Sequence, residues 1–267
     1  MMQIHSFLQR GNNAFAQGDY ATALQYYHKA LEGIRGDPDQ LADLHGNIGN
    51  VHAATGQVDQ AIDHYKKAVE ILKRGEDYAR LGISYVNIGN LYADEEDYDQ
   101  AIHFYKQGAL LLEREERWEE VAVLYGNFSM VMLRKSKPEE ALNYAEKGLA
   151  LAKKLKRPAI VADLSHRLAK AKGASGEMEA AQQLSEAAHV LYAELRNEIG
   201  CAATLYHQAF LHEEKGNLEG AIRCLEQVVA FDEKYHLPKL SENKARLTAL
   251  RGKRASSGAS SDQKKKE

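Results

Sequence analysis

Residues 46–75 read GNIGNVHAATGQVDQAIDHYKKAVEILKRG. The stretch reads as two amphipathic helices. Asn47-Ile48-Gly49-Asn50 lies in the first, Gly56 makes the turn, and Ala61-Ile62, Tyr65 and Ala68 follow in the second. The same pattern recurs along the chain. The alanine that opens each second helix stands at Ala23, Ala61, Ala101, Ala141, Ala181 and Ala221, at intervals of 38, 40, 40, 40 and 40 residues. A fixed period in this range signals a helical array in which each unit buries its apolar face only against its neighbours.

The pattern resembles the tetratricopeptide repeat family. The matching residues are the small residue of the first helix (Gly11, Gly49, Gly89, Ala169, Ala209) and the turn residue (Gly18, Gly56, Gly176, Gly216). The aromatic after the turn (Tyr20, Tyr98) and the second-helix aromatics Tyr27, Tyr65 and Tyr105 also match. The resemblance covers roughly Ile4 to Pro238. It is weaker in the last three copies, where Ser129 replaces the small glycine and Ser185 an aromatic. The family unit has about 34 residues, so the longer period here implies longer helices. In that it looks like the adaptor branch, the Pins-type spindle-orientation proteins and kinesin light chains. The resemblance implies an all-α, right-handed superhelical solenoid of six helix pairs plus a C-terminal capping helix.

A solenoid grows by adding units, so residues 1–251 are read as one domain. Its repeats fall at 1–36, 37–75, 76–114, 115–156, 157–196 and 197–237. Asp37-Pro38 is a clear helix start, an N-cap acceptor before proline at the first helical position. The capping helix is expected over 238–251, with Leu240, Leu247 and Leu250 on one face and Glu242, Lys244 and Arg246 on the other. Residues 252–267, GKRASSGASSDQKKKE, hold no large apolar side chain and are expected to form a disordered polar and basic tail.

Formal net charge is −3, from 35 Lys and Arg against 38 Asp and Glu. That balance points to neither nucleic acid nor a membrane surface as the main partner. No run approaches the ~18 apolar residues of a membrane span, and the N-terminus lacks the order of a signal peptide. A cytoplasmic location is expected. Cys201 and Cys224 fall near the starts of antiparallel helices, at opposite ends of a hairpin, too far apart for a disulfide.

No Gly-rich phosphate loop, Gly-x-Ser-x-Gly or His-Glu-x-x-His occurs, so the chain is read as a non-enzyme without cofactor or metal. His45 and His52, seven apart, are read as core packing, because a ligand pair on one helix would sit three or four apart. Trp118 is read as packing just ahead of the fourth first-helix.

The informative residues form a polar stripe on the first helices: Asn12, Asn47, Asn50, Asn87, Asn90 and Asn127. Asn47 and Asn50, like Asn87 and Asn90, are three apart and share a face. Asparagine is a poor helix-interior residue, so its recurrence asks for a reason. A carboxamide both donates and accepts, so a ladder of them can grip an extended peptide backbone. The resemblance implies that this stripe lines a concave groove, where the long-repeat adaptors carry such a ladder. Further along, Arg134, His166, Arg167 and Lys170 make the stripe basic, and Tyr206, His207 and Phe210 make it aromatic. A basic patch there favours an acidic side chain or a chain terminus in the ligand. The chaperone-tail clamp of the family is not matched: over the first three repeats its basic positions hold Leu8, Ile83 and Asn87.

The chain is accordingly read as a non-catalytic adaptor that binds a protein or peptide ligand. A self-associating scaffold, with homo-oligomers, and a peptide-sensing regulatory module stay open as alternatives. With the stripe read as a wet groove face, Asn90→Ala is expected to be neutral or mildly stabilising, and Gly89→Leu far worse.

Overall fold

The computed structural model describes residues 2–34 and 36–263, with side chains over 3–34 and 36–256. Among the described residues there are thirteen helices and no strand. They are α1 (Met2–Ala16), α2 (Tyr20–Gly33), α3 (Pro38–Ala54), α4 (Val58–Arg74), α5 (Tyr78–Asp94), α6 (Tyr98–Arg114) and α7 (Trp118–Arg134). Then follow α8 (Pro138–Lys154), α9 (Pro158–Ala174), α10 (Met178–Glu194), α11 (Glu198–Glu214), α12 (Leu218–Tyr235) and α13 (Leu240–Gln263). The chain divides into two compact units, residues 1–131 and 132–267, with the division inside α7. An array has no single shared core to enforce one body, only contacts between neighbours.

Local signals set the helix limits. Asp19, Asp37, Asp77 and Asp97 each accept a hydrogen bond from the backbone three residues on, as do Asn197 and Asn217. Pro38, Pro138 and Pro158 open their helices. Gly56 turns the chain at φ 72°, a left-handed conformation glycine takes without strain. In the third and fourth repeats Glu96 and Ser136 occupy the equivalent place, at φ 62° and 56°. Trp118 is the first residue of α7 rather than a residue ahead of it, and it is 41% exposed.

In the first unit α1 packs on α2, α2 on α3, and so on in sequence to α6. In the second, α8 to α13 pack in the same serial way, with α9 also touching α11. The six repeat alanines, Ala23 to Ala221, are all fully buried. They sit where two backbones must come close, which is why the period was carried by alanine. The second unit closes on Leu247 and Leu250 of α13, which pack with Leu225, Val228 and Val229 of α12. Buried Asp232 accepts a hydrogen bond from Asn243 Nδ2 at 2.7 Å.

Beyond Leu250 the structure corrects the expectation of a disordered tail. The helix runs on to Gln263, and residues 264–267 lie outside the described residues. Side chains from Arg251 to Ser256 are exposed. Once a helix is nucleated by packing, each further residue adds a backbone bond at little cost, so propagation needs no apolar face.

Candidate functional site

The first-helix stripe of the first unit is built from a repeated trio. Gly11, Gly49 and Gly89 lie against the rings of Tyr27, Tyr65 and Tyr105, so closely that a Cβ on the glycine would sit 2.5 to 2.7 Å from a ring carbon. Each tyrosine hydroxyl then donates to the asparagine that follows the glycine. Tyr27 reaches Asn12 Oδ1 at 2.8 Å, Tyr65 reaches Asn50 at 2.6 Å, and Tyr105 reaches Asn90 at 2.7 Å. Burial pushes the Tyr65 hydroxyl up to about 12, so it stays protonated and able to donate. Asn90 Oδ1 accepts a second hydrogen bond from Asn127 Nδ2 at 3.0 Å, which fills both its lone pairs.

Four of the six residues of the expected ladder, Asn12, Asn50, Asn90 and Asn127, are therefore engaged within the array. Asn47 and Asn87 differ. They sit one turn earlier on α3 and α5, are half-buried, and make no hydrogen bond among the described residues. Each keeps one acceptor and two donors for something else. The same stretch of surface carries an ion network, in which Arg80 of α5 donates to Asp43 at 2.8 Å and Asp39 at 2.5 Å, both on α3, and to Asp77. The Asn–Tyr bonds were missed in the sequence, yet a signal was there. Asn12/Tyr27, Asn50/Tyr65 and Asn90/Tyr105 share one separation of fifteen residues.

The second unit departs further from the expected basic and aromatic face. Arg134 is exposed, but Arg167 Nε is held by Asp163 Oδ2 at 2.7 Å. Tyr206 is partly covered, with the Arg246 guanidinium of α13 lying 4.9 Å from its ring centre and also bonded to Glu213. Phe210 is 42% exposed. His207, expected on the surface, is buried at 8% exposure. Its ring meets that of His166 edge-on at 5.6 Å, and its Nε2 lies beside Gly173, where the missing side chain leaves room. His166 is 5% exposed, and Lys170, one turn further along α9, is half-buried.

Two further groups of histidines find partners within the first unit. His52 is buried against Gln57, and His45 and His64 share a contact of 3.1 Å between Nδ1 atoms. Burial first, then His45 and Lys67, push His64 down to about 4, so the pair is neutral at pH 7. Cys201 and Cys224 are free thiols, both pushed up mainly by burial. Among the described residues no group of three or more His, Cys, Asp or Glu could hold a metal ion. None of these helices is long and apolar enough to cross a membrane.

A family model described as tetratricopeptide repeat matches residues 2–74, 40–109 and 80–154, and a second of the same description matches 202–235. The photosystem I assembly protein Ycf3 of Rippkaea orientalis is 34% identical over 68 residues, which is 26% of this chain and 39% of that protein. The chain spans under two-fifths of the length of the curated relatives it matches. Among solved structures, a Rap protein complexed with competence and sporulation factor aligns with a TM-score of 0.71 at 17% identity, over 96% of this chain and 77% of that one. A signal transduction ATPase from Pyrococcus horikoshii with a tetratricopeptide repeat sensor gives 0.75 at 15% identity, over 92% and 38%. At such identities the likeness shows the fold alone: an all-α superhelical repeat array.

Proposed function

We propose that this chain, which belongs to the tetratricopeptide repeat family, is a non-catalytic adaptor that binds an extended peptide segment of a partner protein along the first-helix face of its first unit. Protein–protein interaction is what the fold implies. The peptide reading rests on Asn47 and Asn87, two uncommitted carboxamides at equivalent places in successive repeats. Spaced carboxamides of this kind can pair with the N–H and C=O groups of a ligand backbone whatever its side chains. That a Rap protein was solved in complex with competence and sporulation factor is in keeping with use of this fold to hold a partner. A cytoplasmic setting suits an adaptor with two free thiols.

The test is capture of partners by wild type and by the double variant Asn47→Ala with Asn87→Ala. Each ligand group left unpaired costs about 1–3 kcal/mol, so with two unpaired affinity should fall about thirty-fold or more, with helix content and melting unchanged. A folded double variant that binds like wild type overturns the reading. A self-associating scaffold is the second reading, favoured by Leu110, Val190 and Ile199, exposed at 71%, 55% and 75%. It requires a scattering mass that rises with concentration and falls on replacing these three by serine.

A further inference from the structure

The second unit carries a group of polar side chains that nothing in the fold satisfies. His166 and Lys170 lie four residues apart on α9 and so share a face. His207 of α11 brings its ring edge-on to His166 at 5.6 Å. Both ring nitrogens of His166 are buried without a hydrogen-bond partner, and so is Nδ1 of His207. A neutral imidazole carries one donor and one acceptor, and buried polar atoms are normally paired. The half-buried Lys170 ammonium makes no hydrogen bond or ion pair among the described residues.

The charges around Lys170 are Arg167 and Asp163 on α9, Arg134 on α7 and Lys239 just before α13. Asp163 is the anion of this set, and it already accepts from Arg167 Nε at 2.7 Å and from the Tyr192 hydroxyl at 3.5 Å. Cationic charge is left over, beside unpaired imidazole nitrogens, in a place partly shielded from water. Such a cluster is costly when empty and well suited to a compact anion, whose oxygens would accept from the ammonium and from imidazole N–H groups.

We propose that the second unit holds an oxyanion-binding site centred on Lys170 and lined by His166 and His207, which takes a carboxylate or phosphoryl group. This goes beyond the amide ladder of the first unit and stands whether or not that ladder binds a peptide. Without a ligand, burial first and Lys170 next hold His166 at about 3, with His207 and Arg167 adding to the effect. Burial and Lys170 hold His207 at about 4. Burial first, then Arg167, lowers Lys170, with Asp163 opposing and Arg134 and Lys239 adding. An anion stabilises every charged form here and raises these pKa values, so binding takes up protons and tightens as pH falls.

The experiment follows the imidazole resonances of the full chain during titration at constant ionic strength. One probe is inorganic sulfate, a pH-invariant stand-in for a phosphoryl group, and the other is a tri-glutamate peptide with tri-glutamine as control. The site predicts saturable shifts of His166 and His207 with His45 and His64 unmoved, and binding roughly five-fold tighter at pH about 6 than at about 7.5. Lys170→Met should weaken binding about ten-fold or more, and Lys170→Gln, a milder change, should do the same if the first variant folds poorly. The tighter of the two probes names the source, a free anion or an acidic peptide. Asn47→Ala with Asn87→Ala should bind sulfate like wild type, which separates failure of the ladder from failure of this site. Shifts that never saturate with either probe, or folded Lys170 variants that bind like wild type, overturn the proposal.

Discussion

In the first three repeats a glycine on the first helix makes room for a tyrosine ring from the second, and an asparagine beside the glycine receives the ring's hydroxyl. In the last three, Ser129, Ala169 and Ala209 take the glycine's place, and Met130, Lys170 and Phe210 the asparagine's. Opposite them stand Ala145, Ser185 and Leu225, each fully buried. The three positions change together. Asparagine at 12, 50 and 90 therefore answers to the tyrosine, and its recurrence is first of all a packing device. Asn127 teaches the complementary lesson. It belongs to the fourth repeat, where no tyrosine stands opposite, yet an asparagine persists at the place of Asn47 and Asn87. That place holds an asparagine in the second, third and fourth repeats without meeting a tyrosine directly, and Asn127 uses it to reach Asn90.

The sharpest way to break the comparison is Gly89→Leu. A Cβ there would meet Tyr105 Cδ1 at 2.5 Å and the Ala101 carbonyl at 3.2 Å, so ring and backbone must both yield. Overpacking of this kind costs roughly 3 kcal/mol in the upper range, read as a lower melting temperature or urea midpoint. The pair Gly89→Ser with Tyr105→Ala imports the fourth repeat's solution, and should cost less than the sum of its single changes. Strict additivity would show that glycine and tyrosine are not coupled.

Asn90→Ala comes next, and here the structure reverses the expectation from sequence. The change gains helix propensity, worth about 0.5 kcal/mol. It also strands the Tyr105 hydroxyl and the Asn127 amide, a loss of about 1–3 kcal/mol, for a net cost of about 1–2 kcal/mol. Tyr105→Phe should cost about 1 kcal/mol. Combining the two should add little beyond Asn90→Ala alone, because the same hydrogen bond is removed once. A neutral Asn90→Ala would return that residue to the wet face assigned from sequence.

How much could be read without coordinates follows from what periodicity encodes. Ala23 to Ala221 fixed the repeat, the helix pairs and the close-packed faces, because backbone approach constrains one residue type at one spacing. Gly89 was placed on its partner helix for the same reason. Exposure of a polar side chain is not encoded that way. His207 shares its repeat position with Asn47 and Asn87, but Gly173 and His166 provide a recess that only the three-dimensional neighbours define. Lys170 likewise shares its position with Asn50 and Asn90, and its lack of a partner depends on where Asp163 is already spent. Register locates a residue on a face; the company it keeps decides what it can do.

The buried imidazoles give the two halves a measurable acid response. His166 is held at about 3 in the folded chain by burial and by Lys170, against about 6.5 when unfolded. Between these values the unfolded chain binds the proton and the folded chain does not, so stability falls as pH drops below about 6.5. Near pH 5.5 the loss from this one residue is about 1 kcal/mol relative to pH 7. His166→Phe should flatten that part of the slope in chemical unfolding of the second unit while leaving the His45–His64 contribution of the first in place. An unchanged slope would mean that His166 reaches water in the folded chain.

The smallest effect belongs to the end of α13, where one helix contains both an essential and a dispensable part. Leu247 and Leu250 close the last apolar face, Asn243 satisfies Asp232, and Arg246 reaches Glu213. Residues Gly252 to Ser256 are exposed, and the Ser256 hydroxyl donates to the carbonyls of Gly252 and Lys253 in its own helix. An exposed helical segment that buries no apolar side chain gains about as much from its backbone bonds as it loses in ordering. Ending the chain at Arg251 should therefore shift stability by no more than about 0.3 kcal/mol, with a modest loss of helical circular dichroism. Ending it at Pro238 should expose Leu225, Val228 and the unpaired Asp232, and drive association. A tail deletion that destabilises like the longer one would show that residues 252–267 hold a contact of their own.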